Sequence, residues 1–287
     1  MMKLPVMFLG LLALGGAVAQ PSAGRSGWSP ARTSDGQPDL QGMWVNFDST
    51  PFEADTSVAQ SDVNPPSHWM DHDSPMSPKR RSMVVDPPDG RVPVMKWAED
   101  KRDFDLAHIE DAPWHETPWV RCITRGVPAG MFPAGYNNAY QIIQIPGYVV
   151  IASEMIHDTR IIPLKTPPER RALSPKIRMY MGDARGHWDR TTLVVETSNL
   201  KANTRGSSPE LRLTERFTRT GREEIQYQVT FTDPATWTAP WTAALDMKKR
   251  PDNAGVFEYA CHEGNHGMSN MLSAARTLEG TGGTKQK

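Results

Sequence analysis

Six consecutive residues, Cys261-His262-Glu263-Gly264-Asn265-His266, bring together a thiol, two imidazoles and a carboxylate. The run matches H-E-x-x-H, in which two histidines one helical turn apart hold zinc and the glutamate acts as general base. That chemistry needs an uninterrupted helix and a third ligand further along the chain. Gly264 sits inside the motif, Cys261 precedes it at what reads as a strand end (256–259), and the only carboxylate downstream is Glu279. A zinc-dependent hydrolase using His262 and His266 is therefore the alternative reading. The leading one is metal-independent and cofactor-free, with His262 as base and Glu263 as its orienting carboxylate or as the acid.

A second constellation lies at Glu154-Met155-Ile156-His157-Asp158-Thr159-Arg160. If this were one strand, its period of two would put Glu154, Asp158 and Arg160 on one face and His157 on the other. A carboxylate pair beside a guanidinium suits proton transfer, with Arg160 or Arg125 stabilising developing negative charge. His157 is equally a candidate structural histidine, and the strand equally a salt-bridged surface strand. Tyr136, Asn137, Asn138 and Tyr140 offer phenol and amide groups for hydroxyl-rich or carbonyl ligands, although the same residues make a capped turn. The expected catalytic set is His262, Glu263, His157, Asp158 and Arg160. The expected binding set is Tyr136, Asn137, Asn138, Glu154 and Arg125.

The two cysteines, Cys122 and Cys261, read as one disulfide if the chain enters an oxidising compartment; the rival is a nucleophilic or metal-bound thiol. Entry is expected from residues 1–19, where Lys3 precedes a short apolar run and a small-residue Ala17-Val18-Ala19 ending, the pattern of a cleaved signal peptide. No later run is long and apolar enough to be a transmembrane helix, so the mature protein is expected in the periplasm or outside the cell. Thirty-two basic against 33 acidic residues leave a net charge of -1, which gives no overall field toward nucleic acid or membrane. The expected partner is a small molecule, and the oligomeric state has no signature. Nucleophile-elbow, Walker, dinucleotide-binding and haem-attachment motifs are absent, which lowers phosphoryl transfer and dinucleotide redox chemistry.

The elements that would position these residues are mostly strands. Residues 20–118 are rich in Pro, Asp, Ser and Trp, with one weak helical stretch at 96–109, and read as an arm wrapping the core with Trp44, Trp69, Trp97, Trp114 and Trp119 as plugs. From 119 to 280 a β domain is expected, followed by a disordered tail at 281–287. Runs at 140–145 and 148–160 flank the hairpin signal Pro146-Gly147, and further runs follow at 192–197, 211–218 and 225–232. The last two alternate, with Leu211, Leu213, Glu215 and Phe217, then Ile225, Tyr227, Val229 and Phe231, on one face. Glu215 breaks an apolar row and needs a partner such as Arg160 or Arg212. Hairpin-joined strands without interleaved helices predict an antiparallel meander closing into a lipocalin-like barrel, with a short C-terminal helix at 269–278. A barrel of this size can enclose a small ligand.

The segments Tyr136-Asn137-Asn138, Pro146-Gly147-Tyr148-Val149-Val150, Glu154 through Ile162, Met181-Gly182-Asp183, Thr192 through Thr197, Glu215-Arg216-Phe217, Trp237 through Trp241 and Tyr259 through Asn265 resemble those of a large group of secreted bacterial proteins. The likeness covers about residues 36–280 and brings no established reaction with it. That group generally carries Tyr where this chain has His266 and Gly-Asp where it has Arg190-Thr191, and the first departure weakens any mechanism that needs His266. Three functions stay open: an acid-base lyase or hydrolase, a non-catalytic lipocalin-like carrier, and the zinc hydrolase.

Overall fold

The computed structural model describes residues 28–54, 80–108, 111, 117–164, 173–201, 206–250 and 255–280. The proposed signal peptide, the proposed tail, Trp69 and Trp114 lie outside these residues. The described chain forms ten strands and two α-helices: β1 (Gly42–Val45), β2 (Val84–Asp86), α1 (Lys96–Ala107), β3 (Ala139–Ile145), β4 (Tyr148–Ser153), β5 (Thr159–Pro163), β6 (Asp183–Asp189), β7 (Thr192–Ser198), β8 (Arg212–Gly221), β9 (Glu224–Thr232), β10 (Trp241–Lys249) and α2 (His266–Gly280).

Nine strands run antiparallel in the order β5-β4-β3-β1-β10-β9-β8-β7-β6 and curl into a nearly closed barrel, with β2 paired to β10 on the side. The alternating sequences dictate which side faces inward. In β8 and β9, Leu213, Glu215, Phe217, Ile225, Tyr227, Val229 and Phe231 are all buried, as one apolar face of a half-solvated sheet requires. At the β3–β4 hairpin Gly147 takes φ 83°, a conformation that glycine adopts without steric cost.

Three expectations about the elements change. The arm does not merely wrap the core, because β1 inserts between β3 and β10 and supplies a strand of the barrel wall. Its Trp44 is a fully buried plug, whereas Trp97 on α1 is exposed. The run 148–160 is two strands, not one. Ile156 (φ 59°) and His157 (φ 53°) turn the chain back within a 3-10 turn, so that Ala152 pairs with Thr159 and Ile151 with Arg160. A left-handed conformation is unusual for β-branched isoleucine and interrupts any ladder. Residues 256–259 take no strand structure.

The barrel interior is packed. Phe231 stacks on Trp241 with centroids 3.8 Å apart, Trp237 meets Trp241 edge-on at 5.4 Å, and Phe52 from the arm meets the same indole at 6.1 Å. Trp241, Phe231 and Trp237, with Trp44, Phe217 and Tyr227, belong to one buried hydrophobic cluster, against which the partly buried Phe52 packs. The end strands β5 and β6 touch without a ladder among the described residues. Gly186 makes that contact possible: a Cβ there would lie 2.9 Å from methyls of both Ile162 and Leu164.

Candidate functional site

Cys122 and Cys261 form a disulfide with Cα atoms 5.7 Å apart. It ties the 119–125 segment to the stretch that precedes α2, and Asn265 reinforces the junction by donating to the Val120 carbonyl at 2.9 Å. The same junction sets Trp119, over whose ring the Arg125 guanidinium lies, against Tyr259 of that stretch. His262 and Glu263 nevertheless stand exposed in a turn, and His266 is the first residue of α2. The two imidazoles of the H-E-x-x-H pattern therefore do not share a helix. Among the described residues no group of three or more His, Cys, Asp or Glu side chains is arranged to hold a metal.

Ordered polar chemistry gathers instead at the end of the barrel where β4 stops and β5 starts. A pocket of about 20 Å3 opens there, lined by Tyr140, Ile151, Ser153, Asp158 and Arg160 from the sheet side, with the 125–131 segment and Met181 over them. That volume is just above the roughly 10–15 Å3 that a single water needs. The Asp158 carboxylate is held by one oxygen, which accepts from the Thr124 hydroxyl at 2.6 Å and the Arg125 backbone N–H at 3.3 Å. Its other oxygen has no hydrogen-bond donor among the described residues.

Arg125 enters the pocket wall as a partly buried guanidinium. It donates to the Phe132 carbonyl at 3.1 Å and lies over the Trp119 ring, 5.1 Å from its centroid. Burial lowers its pKa from the ordinary arginine range, although arginine keeps its charge in proteins. Beside it, Tyr136 and Tyr259 stack with centroids 6.0 Å apart and hydroxyls 3.5 Å apart, and the Trp119 indole N–H donates to the Tyr259 hydroxyl. Burial, and then the Tyr259 hydroxyl, push the Tyr136 phenol well above the usual tyrosine range. The Tyr136 phenol thus acts as a neutral hydrogen-bonding group.

The two carboxylates and the arginine expected on one strand face belong to three different environments, because the turn at 155–157 separates them. Glu154 is fully buried and is held by Arg250 at 3.1 Å, the Phe257 backbone N–H at 2.8 Å and the Asn137 amide at 3.1 Å. Asn138 closes a loop by pairing both amide atoms with the Ala134 backbone. Glu154, Asn137 and Asn138 are thus engaged in holding the pocket's surroundings, the capped-turn alternative in the case of Asn138. His157 is exposed.

Arg160 points into the barrel. Its two terminal nitrogens donate to both oxygens of Glu215, and one of them also to the Thr197 hydroxyl at 2.7 Å, while Tyr227 donates to Glu215 at 2.9 Å. Burial works against the Arg160 charge, and the Glu215 carboxylate outweighs it, leaving the guanidinium above its ordinary pKa. The Nε–H of Arg160 is buried and has no acceptor among the described residues.

Of the expected site residues, the pocket collects Asp158, Arg160 and Arg125, with Tyr136 beside Arg125; it does not collect His262, Glu263 or His157. Sequence reasoning missed Ser153 and Thr124, which stand in no recognisable motif, Met181, whose segment Met181-Gly182-Asp183 carried only the resemblance and no site role, and Arg250, whose role depends on a contact 96 residues away. Tyr259 did carry a signal, as the aromatic residue two positions before Cys261. Comparison of the chain with protein families, with curated proteins and with solved structures returns no match.

Proposed function

We propose that this protein binds a small polar organic molecule in the pocket between the β4–β5 turn and the 125–131 segment. The observation that carries the reading is convergence. The pocket is lined by Asp158, one of whose carboxylate oxygens has no donor among the described residues, and by Arg125, with Tyr140 and Ile151 among its apolar walls. A few convergent polar groups on apolar walls are the usual composition of ligand sites. The barrel is compatible with such a role, and the disulfide is compatible with export to an oxidising compartment. The resemblance to secreted bacterial proteins points the same way.

The test is a ligand-observed NMR screen of polar fragments against the full chain, repeated with Ser153→Leu, which places an apolar side chain at the pocket wall. Hits lost in the variant support the reading. Hits that all survive in it sink the pocket as the binding site.

A second reading, acid-base turnover in the same pocket, is favoured by Asp158, one of whose oxygens has no donor among the described residues and can accept a substrate proton while Arg125 stands by as a cation. It separates from simple binding by Asp158→Asn: an enzyme loses turnover of a bound compound by about 10²-fold or more, whereas a binding protein shows no turnover to lose.

A further inference from the structure

Arg80, Arg160 and Arg250 each meet a carboxylate: Asp246 at 2.9 Å, Glu215, and Glu154 at 3.1 Å. Arg125 departs from that pattern. Its guanidinium is a fork of N–H donors, one of which meets the Phe132 carbonyl at 3.1 Å, and no carboxylate pairs with it among the described residues. Asp158 accepts from the Arg125 backbone rather than from the guanidinium.

The surroundings make an unpaired charge costly there. The guanidinium lies over the Trp119 ring, Trp119 donates to the Tyr259 hydroxyl at 3.1 Å, and the Tyr259 ring stacks with that of Tyr136. These residues are all only partly exposed, and burial lowers the Arg125 pKa with no carboxylate acting against it. A cation held away from water by aromatic rings gains most from a ligand that brings the missing negative charge. The phenols add a further donor. The Tyr259 hydroxyl accepts from Trp119 and shares one proton with the Tyr136 hydroxyl across 3.5 Å. Whichever hydroxyl donates, the O–H of the other has no acceptor among the described residues.

A single positive charge and spare donors call for a singly charged acceptor. A carboxylate is acceptor-only when ionised, and its two oxygens match the planar guanidinium fork. A phosphate dianion would bring a second charge with no partner. Resting on the binding function proposed above, we infer that the ligand is a small aliphatic monocarboxylate, whose carboxylate accepts from the Arg125 guanidinium and from the spare O–H of the Tyr136–Tyr259 pair. Arg125 also lines the pocket, where Val127, Met131, Ile151 and Met181 offer apolar walls to the alkyl part.

Acetate, its neutral isostere acetamide and inorganic phosphate are to be titrated separately into the full chain at constant ionic strength, following the 15Nε–Hε signal of Arg125. Acetate is expected to shift that signal saturably, with acetamide and phosphate each about tenfold weaker or more. In Arg125→Gln, ligand-observed titration should find acetate weakened to the level of acetamide; the Arg125 signal of the natural sequence decides alone if that variant does not fold. Acetamide or phosphate binding as tightly as acetate in the natural sequence would overturn the inference, as would an acetate preference that survives Arg125→Gln. An Arg125 signal that no probe moves would overturn it too. With fragment hits lost in Ser153→Leu, that outcome leaves the pocket as the binding site; with hits that all persist there, it removes the proposed function as well.

Discussion

Arg160 on β5 and Glu215 on β8 meet inside the barrel in a two-point ion pair, one arm of which measures 2.8 Å, across the seam where β5 and β6 have no ladder among the described residues. Thr197 on β7 and Tyr227 on β9 bond into the same pair, so one buried network fastens the open edge to three strands beyond it. Removing one partner leaves the other charge buried and alone, which costs about 3–5 kcal/mol, whereas an apolar pair of similar volume is near neutral. Glu215→Leu is therefore expected to lower unfolding free energy by about that amount. Arg160→Met combined with Glu215→Leu should recover most of it, apart from about 1 kcal/mol for the stranded Tyr227 hydroxyl. Urea unfolding of the two single variants and the double variant measures the coupling; additive losses would contradict it.

The same network fixes a response to alkali. Burial, followed by the neighbouring Glu215 charge, raises the Tyr227 phenol well above its ordinary value, and Tyr136 is raised by burial and Tyr259. A group whose folded pKa exceeds its unfolded one gives stability that is fully present below the unfolded value, about 10 for tyrosine. That stability is lost as pH rises from about 10 toward the folded value. Of the six tyrosines, Tyr227 and Tyr136 should fail to ionise in a spectrophotometric titration until the fold itself is lost. Normal titration of all six in the folded protein would show these two environments to be wrong.

The disulfide closes a loop with a sequence separation of 139 residues. In the chain-entropy view such a crosslink contributes about 5 kcal/mol, and native bridges typically contribute about 2–5 kcal/mol. Because α2 buries little beyond Ala275, Cys122→Ser with Cys261→Ser should release α2 first. Hydrogen exchange is expected to show faster exchange across His266–Gly280 while β8 and β9 stay protected.

At the seam, Gly186 leaves no room for a larger residue, since the first added carbon already meets Ile162 and Leu164. Overpacking of this kind costs about 1–3 kcal/mol. Gly186→Val should cost that much in thermal or urea unfolding, and Leu164→Ala in the same chain should restore part of it by emptying the opposing space. A Gly186→Val protein as stable as the natural one would mean that β5 and β6 do not abut.

Much of the barrel could be read along the chain because strand alternation is a local property. The rows from Leu211 to Phe217 and from Ile225 to Phe231 pointed inward as their period requires, and the breach made by Glu215 called for an arginine that proved to be Arg160. The Cys122–Cys261 pair followed from there being two cysteines and an expected oxidising compartment. Strands β6 and β10 were less visible, because Gly186 and the Ala243-Ala244 pair dilute their patterns, and β1 is only four residues long.

What the sequence by itself determined, then, was a mainly β chain with one apolar strand face and a crosslink. The site was decided elsewhere. A left-handed Ile156 and His157 divide a run that reads as one strand, sending Glu154 to Arg250, Asp158 to Thr124 and Arg160 to Glu215. Spacing along the chain could not foretell this, because it describes neighbours only while the backbone keeps one repeating conformation. Once the chain turns, the partner of each side chain depends on which distant strand barrel closure places opposite it. The same closure leaves His262 and Glu263, the residues with the strongest local signature, in an exposed turn, and gathers the pocket from the expected Arg125, Asp158 and Arg160 together with residues such as Ser153 that carry almost none.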